Sequence, residues 1–381
     1  VILLFKRILS FMLAVITIAA VPISAGAQIP QYAKGYVLIE ASTGTVLEGK
    51  DENKVLPMAS TTKIMTALVT LENSDLNSVV KIPSVATNIE GSSMYLIEGE
   101  QLTVEQLLYG LMLTSGNDAS MALAYHVGGG NIDNFVKLMN QKAKELGLEN
   151  TSFENPSGLD GENHHTTALE LAKITCAALE NEKFAEIVKT KSKRVPYNNN
   201  PDGRSLTNHN KLLNMYEYAI GVKTGFTKKS GRCLVSAAKK DSVTLICVTL
   251  GASDDWNVHK QAYEDGFKRV QYKSLAPSGQ FKAVLKAAGG NTVTAANTSD
   301  VGGIYIDKNY DFESVTSKVY AEHIVYAPKQ KGDIVGKVCY YCNGELIGQS
   351  NLALEEDLIV EVKRNLFITK IINFFKGLFG I

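Results

Sequence analysis

Pro57-Met58-Ala59-Ser60-Thr61-Thr62-Lys63-Ile64-Met65-Thr66-Ala67-Leu68 is the stretch on which the fold of this 381-residue chain turns. Its apolar positions recur at helical spacing and predict a helix that begins close to Ser60. Upstream, Gly35 to Glu48 alternates around Ser42-Thr43-Gly44, the pattern of a β-hairpin closed by a glycine turn. Downstream, helices are predicted over residues 104–112, 118–126, 132–146 and 167–179, and strands return at 220–225, 232–237 and 244–250. Strands at both ends of a helical middle predict an α/β (α+β) domain with an antiparallel sheet packed between helices, not a doubly wound parallel sheet.

Asp265 to Tyr272 reads as the end of a last helix, so the first domain is expected over 28–273. Beyond Ser274 the composition shifts to Val, Thr, Gly and Ala in short alternating stretches, which predicts a separate small all-β domain over 274–363. The ends of the chain read differently again. Lys6 and Arg7 precede an almost wholly apolar run from Ile8 to Ile23, and Ala25-Gly26-Ala27 then fits a processing site before Gln28. Residues 1–27 are therefore expected to be a signal peptide, the alternative being a permanent N-terminal anchor. At about 100° per residue, the polar positions of Leu366 to Ile381 fall within an arc of roughly 120°, and phenylalanines, isoleucines and leucines fill the rest, Leu366 alone straying into the polar arc. That pattern predicts an amphipathic helix suited to a membrane interface, or else one docked on protein.

Composition narrows the functional classes. Forty-five per cent apolar residues exclude a disordered or collagen-like chain, and the formal net charge of zero gives no basic excess for nucleic acid. Of the five cysteines, Cys176, Cys233 and Cys247 lie in apolar periodic segments, as core residues do. Cys339 and Cys342 form a lone Cys-x-x-Cys, with no second pair to complete a zinc site. Residues i and i+3 of a strand face opposite sides, so free thiols are expected there. His164 and His165 are adjacent, but no His-Glu-x-x-His is present, and His164 is read as structural. No cofactor or metal is called for.

A serine hydroxyl is a weak nucleophile at neutral pH and needs a base beside it. Lys63 follows Ser60 by three residues, which on a helix places both side chains on one face. To act as base the lysine must be uncharged, and a fall in pKa from about 10.4 to about 7 represents roughly 4 to 5 kcal/mol of differential stabilisation. Burial and a second cation supply shifts of that sign. Ser-x-x-Lys alone is weak evidence, because it recurs at Ser78–Lys81 and Ser236–Lys239. The first occurrence gains weight from Ser115-Gly116-Asn117, the only Ser-x-Asn in the chain, and Lys223-Thr224-Gly225, the only Lys-Thr-Gly.

With these three motifs in order, the chain resembles the low-molecular-mass penicillin-binding proteins that act as serine D-alanyl-D-alanine carboxypeptidases (peptidase S11-like). Longer stretches are similar too: 57–68, 114–119, Phe153-Glu-Asn-Pro-Ser-Gly-Leu-Asp-Gly-Glu-Asn-His-His-Thr-Thr-Ala168, 208–213 and 221–234. The likeness covers nearly all of residues 35–270 and implies a β-lactamase/transpeptidase-like domain. It implies Ser60 as nucleophile, Lys63 as base, and Ser115 as the hydroxyl that passes a proton to the leaving D-alanine. Asn117 would grip the peptide backbone, Lys223 and Thr224 the terminal carboxylate, and Gly225 would leave room for the substrate. The backbone N–H groups of Ser60 and Phe226 would form an oxyanion hole.

The implied partners are a peptidoglycan stem peptide ending in D-Ala-D-Ala, β-lactam inhibitors and a membrane surface reached by the C-terminal helix, on the outer face of the cell. One departure stands out. Similar proteins often carry a carboxylate-binding arginine near position 255, whereas this chain reads Asp254-Asp255-Trp256, leaving Lys223 and Thr224 alone or an arginine from elsewhere. A β-lactamase of the same fold would need the Glu-x-x-x-Asn setting that is missing at Glu154-Asn155. D,D-endopeptidase activity would use the same residues. A non-catalytic scaffold would have no chemical reason to keep all of them.

Overall fold

The computed structural model describes residues 33–197, 200–288, 291–306 and 314–359. The expected signal peptide and the C-terminal amphipathic helix lie outside the described residues. The chain divides into two compact units, one up to Lys268 and one from Arg269.

The first unit opens with the hairpin β1 (Gly35–Glu40) and β2 (Val46–Lys50). A 3-10 turn over Ala59–Thr62 passes directly into α1 (Lys63–Asn73), so Ser60 sits in a tight turn at the mouth of the helix. The short pair β3 (Val79–Lys81) and β4 (Gln101–Thr103) leads to α2 (Val104–Leu113), capped by a reciprocal Thr103–Gln106 capping box. Then come α3 (Asn117–Val127), α4 (Ile132–Glu145), α5 (Ala168–Leu179) and α6 (Glu182–Lys189). A hairpin of β5 (Ser192–Tyr197) and β6 (Asn200–Thr207) and the short α7 (Leu212–Met215) precede β7 (Ala219–Thr227), β8 (Gly231–Lys240) and β9 (Val243–Leu250). Helix α8 (Asp255–Arg269) follows.

The sheet order is β2-β1-β9-β8-β7, antiparallel throughout, as expected. Both faces are covered. Val37, Ile39, Val235, Ala237, Ile246 and Val248 face the main core with α1 to α6. The alternating residues face α8, where Tyr263 and His259 bond Ser236 and Thr249. Gly266 lets that helix approach closely, since a Cβ there would lie 2.8 Å from Leu245 Cδ1 and 2.9 Å from Leu38 Cδ2.

The second unit begins where the sequence predicted helix. Val270–Ala276 is a strand, β10, because Val270 and Tyr272 favour a pleat and pair with β13 (Val301–Ile306) across an antiparallel ladder. The remaining strands are β11 (Lys282–Lys286), β12 (Thr292–Asn297), β14 (Thr316–Ala321), β15 (Ile334–Cys342) and β16 (Glu345–Leu354). They form one sheet in the order β11-β12-β16-β15-β14 over a small core. Cys342 belongs to that core, whereas Cys339 lies on the other face of β15 beside Gln349; no disulfide joins them, as strand alternation predicts.

Candidate active site

The Ser60 turn is assembled under constraint. Ala59 holds a left-handed φ of 48°, and two glycines let neighbouring backbone close on it. A Cβ at Gly158 would lie 2.0 Å from Ala59 O, and one at Gly225 would lie 3.0 Å from Ser60 N. Gly225 therefore lets β7 pass against the Ser60 backbone. His164 braces the turn from the other side. Its Nδ1 accepts from the Glu154 N–H at 3.0 Å, which leaves the proton on Nε2 to donate to Thr62 Oγ1 at 2.7 Å. The Thr62 hydroxyl in turn donates to Ala59 O at 2.8 Å. Burial lowers the His164 pKa to about 4, so the ring stays neutral and both bonds persist.

Lys63 is fully buried, and its Nζ has three neighbours. It lies 3.1 Å from Ser60 Oγ, 2.7 Å from Asn117 Oδ1 and 2.5 Å from the carbonyl oxygen of Ser157. Burial, reinforced by the charge of Lys223, pushes its pKa well below that of a free lysine, against an opposing pull from Asp118. An uncharged amine has two N–H donors and one lone pair. The two carbonyl oxygens can only accept, so they take both N–H groups, and the lone pair is left facing the one neighbour that carries a proton, the Ser60 hydroxyl.

Opposite stands the turn between α2 and α3. Ser115 adopts a left-handed φ of 61°, and Asn117 opens α3 with its Nδ2 donating to Glu90 O at 2.5 Å. On β7, Lys223 is 1 % exposed, donates to Thr224 O at 2.9 Å, and is lowered by burial to about 7. A cavity of about 360 Å³ joins Ser60, Ser115, Thr224, Gly225 and Phe226. Lys63, Asn117 and Lys223 lie behind its walls.

The same cavity is lined by residues that sequence reasoning missed: Ser92, His209, Lys211, Arg232, Asp255 and Trp256. Arg232 brings an arginine from another element to the departure at 254–256. It stands on β8 opposite Phe226, donates through Nε and Nη2 to Asp255 at 3.1 and 2.7 Å, and lies over the Trp256 ring at 5.6 Å. The Ser157 carbonyl was invisible to a reading of side chains, although it lies within the similar stretch 153–168. Neither of the other Ser-x-x-Lys occurrences forms a helical turn: Ser78 directly precedes β3, which ends at Lys81, while on β8 Ser236 is buried on His259 and Lys239 is exposed. Among the described residues, no group of three or more His, Cys, Asp or Glu could hold a metal ion, and no helix is long and apolar enough to cross a membrane.

Known proteins resemble the chain in sequence and fold. Residues 23–254 match the model of the peptidase S11 family, described as D-alanyl-D-alanine carboxypeptidase. The chain is 35% identical over 336 residues to D-alanyl-D-alanine carboxypeptidase DacF of Bacillus subtilis, covering 86% of each. Penicillin binding protein 5 from Haemophilus influenzae is similar in structure, with a TM-score of 0.64, 28% identity, and 88% of this chain and 100% of that one covered. The Streptomyces K15 DD-transpeptidase gives a TM-score of 0.60 at 34% identity, over 62% of this chain and 97% of its own.

Proposed function

Because this chain belongs to the D-alanyl-D-alanine carboxypeptidase family of serine peptidases, we propose that it removes the terminal D-alanine from peptidoglycan stem peptides through an acyl-enzyme on Ser60. The observation that carries this reading is the clasp of Lys63 between two carbonyl oxygens, with Ser60 Oγ at 3.1 Å. Ser60 Oγ attacks the carbonyl carbon of the penultimate D-alanine while its proton moves to the Lys63 amine. The backbone N–H groups of Ser60 and Phe226 hold the oxyanion. Ser115 relays a proton to the departing amine, D-alanine leaves, and water then hydrolyses the ester and restores Ser60. A β-lactam follows the first half of this course, its ring amide acylating the same oxygen.

The substrate's terminal carboxylate rests on Thr224 and Arg232 at the cavity wall, with the Lys223 ammonium behind them; Arg232 is pre-oriented by its two bonds to Asp255. Asn117 serves Lys63 through its Oδ1. The test is release of D-alanine from a synthetic peptide ending in D-Ala-D-Ala. The native chain releases it stoichiometrically and Ser60→Ala releases none; release by Ser60→Ala at the native rate overturns the reading.

The reading extends to location. Residues 1–27 act as a cleaved export signal and 364–381 as an interfacial helix holding the enzyme on the outer face of the cell membrane. Deletion from residue 364 onward is expected to move the enzyme from the membrane fraction to the soluble one. Retention on membranes contradicts the anchor.

A further inference from the structure

Between β3 and β4 the chain crosses residues 88–96 with almost no regular structure, holding left-handed φ angles at Asn88, Gly91 and Tyr95. What fixes this strap is one carboxylate. Asp118, 2 % exposed in the first turn of α3, accepts from Ser93 Oγ at 2.6 Å, from Met94 N at 3.1 Å through both oxygens, from Leu96 N at 3.0 Å and from Ala119 N at 2.8 Å. A carboxylate offers about four lone-pair sites, and all are taken. Its charge also sits where the helix macrodipole favours an anion.

The strap then reaches back to the neighbouring residue. Ser92 O accepts the Asn117 N–H at 2.7 Å, and Glu90 O accepts from Asn117 Nδ2 at 2.5 Å. A carbonyl oxygen cannot face another carbonyl oxygen, so Glu90 O compels the amide to turn its NH₂ toward the strap and its Oδ1 toward Lys63. A flipped amide would set two donors against each other at Lys63 and two acceptors at Glu90.

We propose that Asp118 is a positioning residue for acylation: its carboxylate anchors the strap, and the strap carbonyls hold the Asn117 amide in the one orientation that presents Oδ1 to Lys63. The inference rests on the roles given above to Lys63 and Asn117. Asp118→Asn replaces one acceptor oxygen by an NH₂ facing backbone donors, and the strap loses its anchor. Gly91→Ala disturbs the same amide from the strap side, because a Cβ there would lie 2.7 Å from Asn117 Nδ2.

The experiment is stopped-flow acylation of the full chain by a fluorescent penicillin, resolved into the acylation rate constant and the dissociation constant of the preceding complex, with hydrogen exchange at Met94 and Leu96. Asp118→Asn is expected to lose about a hundredfold in the rate constant with little change in the dissociation constant, and to lose protection at both amides. Gly91→Ala, which leaves the Asp118 anchor intact and guards against a misfolded first variant, is expected to lose at least tenfold in the same constant. Native acylation by both variants, or a loss carried wholly by the dissociation constant, overturns the proposal. Lys63→Ala separates the two levels. If it abolishes acylation while both variants acylate normally, only the strap inference falls; if it acylates normally, the reading beneath falls as well.

Discussion

Lys63 and Lys223 are both interior amines, and the proposed reaction needs them in different protonation states. In the proposed mechanism Lys63 works uncharged, whereas Lys223 helps hold a carboxylate only when protonated. With Lys223 lowered to about 7, kcat/KM for a D-Ala-D-Ala peptide is expected to fall as pH rises through about 7 in the free enzyme. The corresponding limb of kcat lies higher, because the bound carboxylate favours the ammonium. A pH–rate series with both constants checks this, and coincident limbs would contradict it. The same burial costs stability. Between about 7 and 10.5 the unfolded chain binds a proton that folded Lys223 does not, so stability rises with pH across that window and is lowest below it. Lys223→Met is therefore expected to raise Tm by several degrees at pH 7, with the difference shrinking towards pH 10. Calorimetry across that range measures it, and a lower Tm for the variant at pH 7 would contradict the assignment. At this scale the sequence carried the side chains proposed to do chemistry, since Ser60, Lys63, Ser115, Asn117 and Lys223 announce themselves by spacing. It hid the Ser157 and Glu90 carbonyls, because any residue type supplies a carbonyl. It also hid Arg232, whose partner Asp255 lies on another element.

The turn that presents Ser60 is built by several elements at once. Gly158 admits the Ala59 carbonyl only because it has no side chain, and its φ of 87° is one that other residues resist. Gly158→Ala is expected to destabilise the first unit by about 3 kcal/mol or more and to slow penicillin acylation at least tenfold. Unfolding by denaturant and the labelling rate report both, and native values for either would show the contact to be slack. His164 ties the same turn to the segment 153–166 and does so neutral. Its folded pKa of about 4 lies below its unfolded 6.5, so its contribution is complete above pH 6.5 and is lost as pH falls toward 4, to the extent of about 3 kcal/mol. His164→Gln is expected to flatten the dependence of unfolding free energy on pH between 7 and 4.5. Part of the slope remains with His259, lowered to about 3 by burial. An unchanged slope would contradict the brace. Periodicity made the hairpin, five helices and the three closing strands legible. It missed the body of α8, since His259 is buried there on Ser236 and Thr249 and Gly266 meets the sheet, so two inward positions carry no apolar residue.

At the scale of the whole molecule, every residue given a role in the chemistry lies in the first unit. The K15 enzyme, 97% of which aligns with only 62% of this chain, shows that a protein of about that extent stands by itself. Residues 33–268 expressed alone are accordingly expected to acylate with penicillin within threefold of the full chain; loss beyond tenfold would assign the second unit a share in the site. The shift of composition after Ser274 made a second, β-rich unit legible, but the switch from α8 into β10 was not, because Val270 and Tyr272 extend an apolar spacing that suits helix and strand alike. On the proposed reading, the fold buries one amine among acceptors so that its lone pair meets a serine proton. The most direct measurement is mass spectrometry of the penicillin adduct on the native chain and on Lys63→Ala under identical exposure. The account predicts a single adduct on Ser60 and at least a thousandfold slower labelling of the variant. Adduct on any other residue, or native labelling without the lysine, would contradict it.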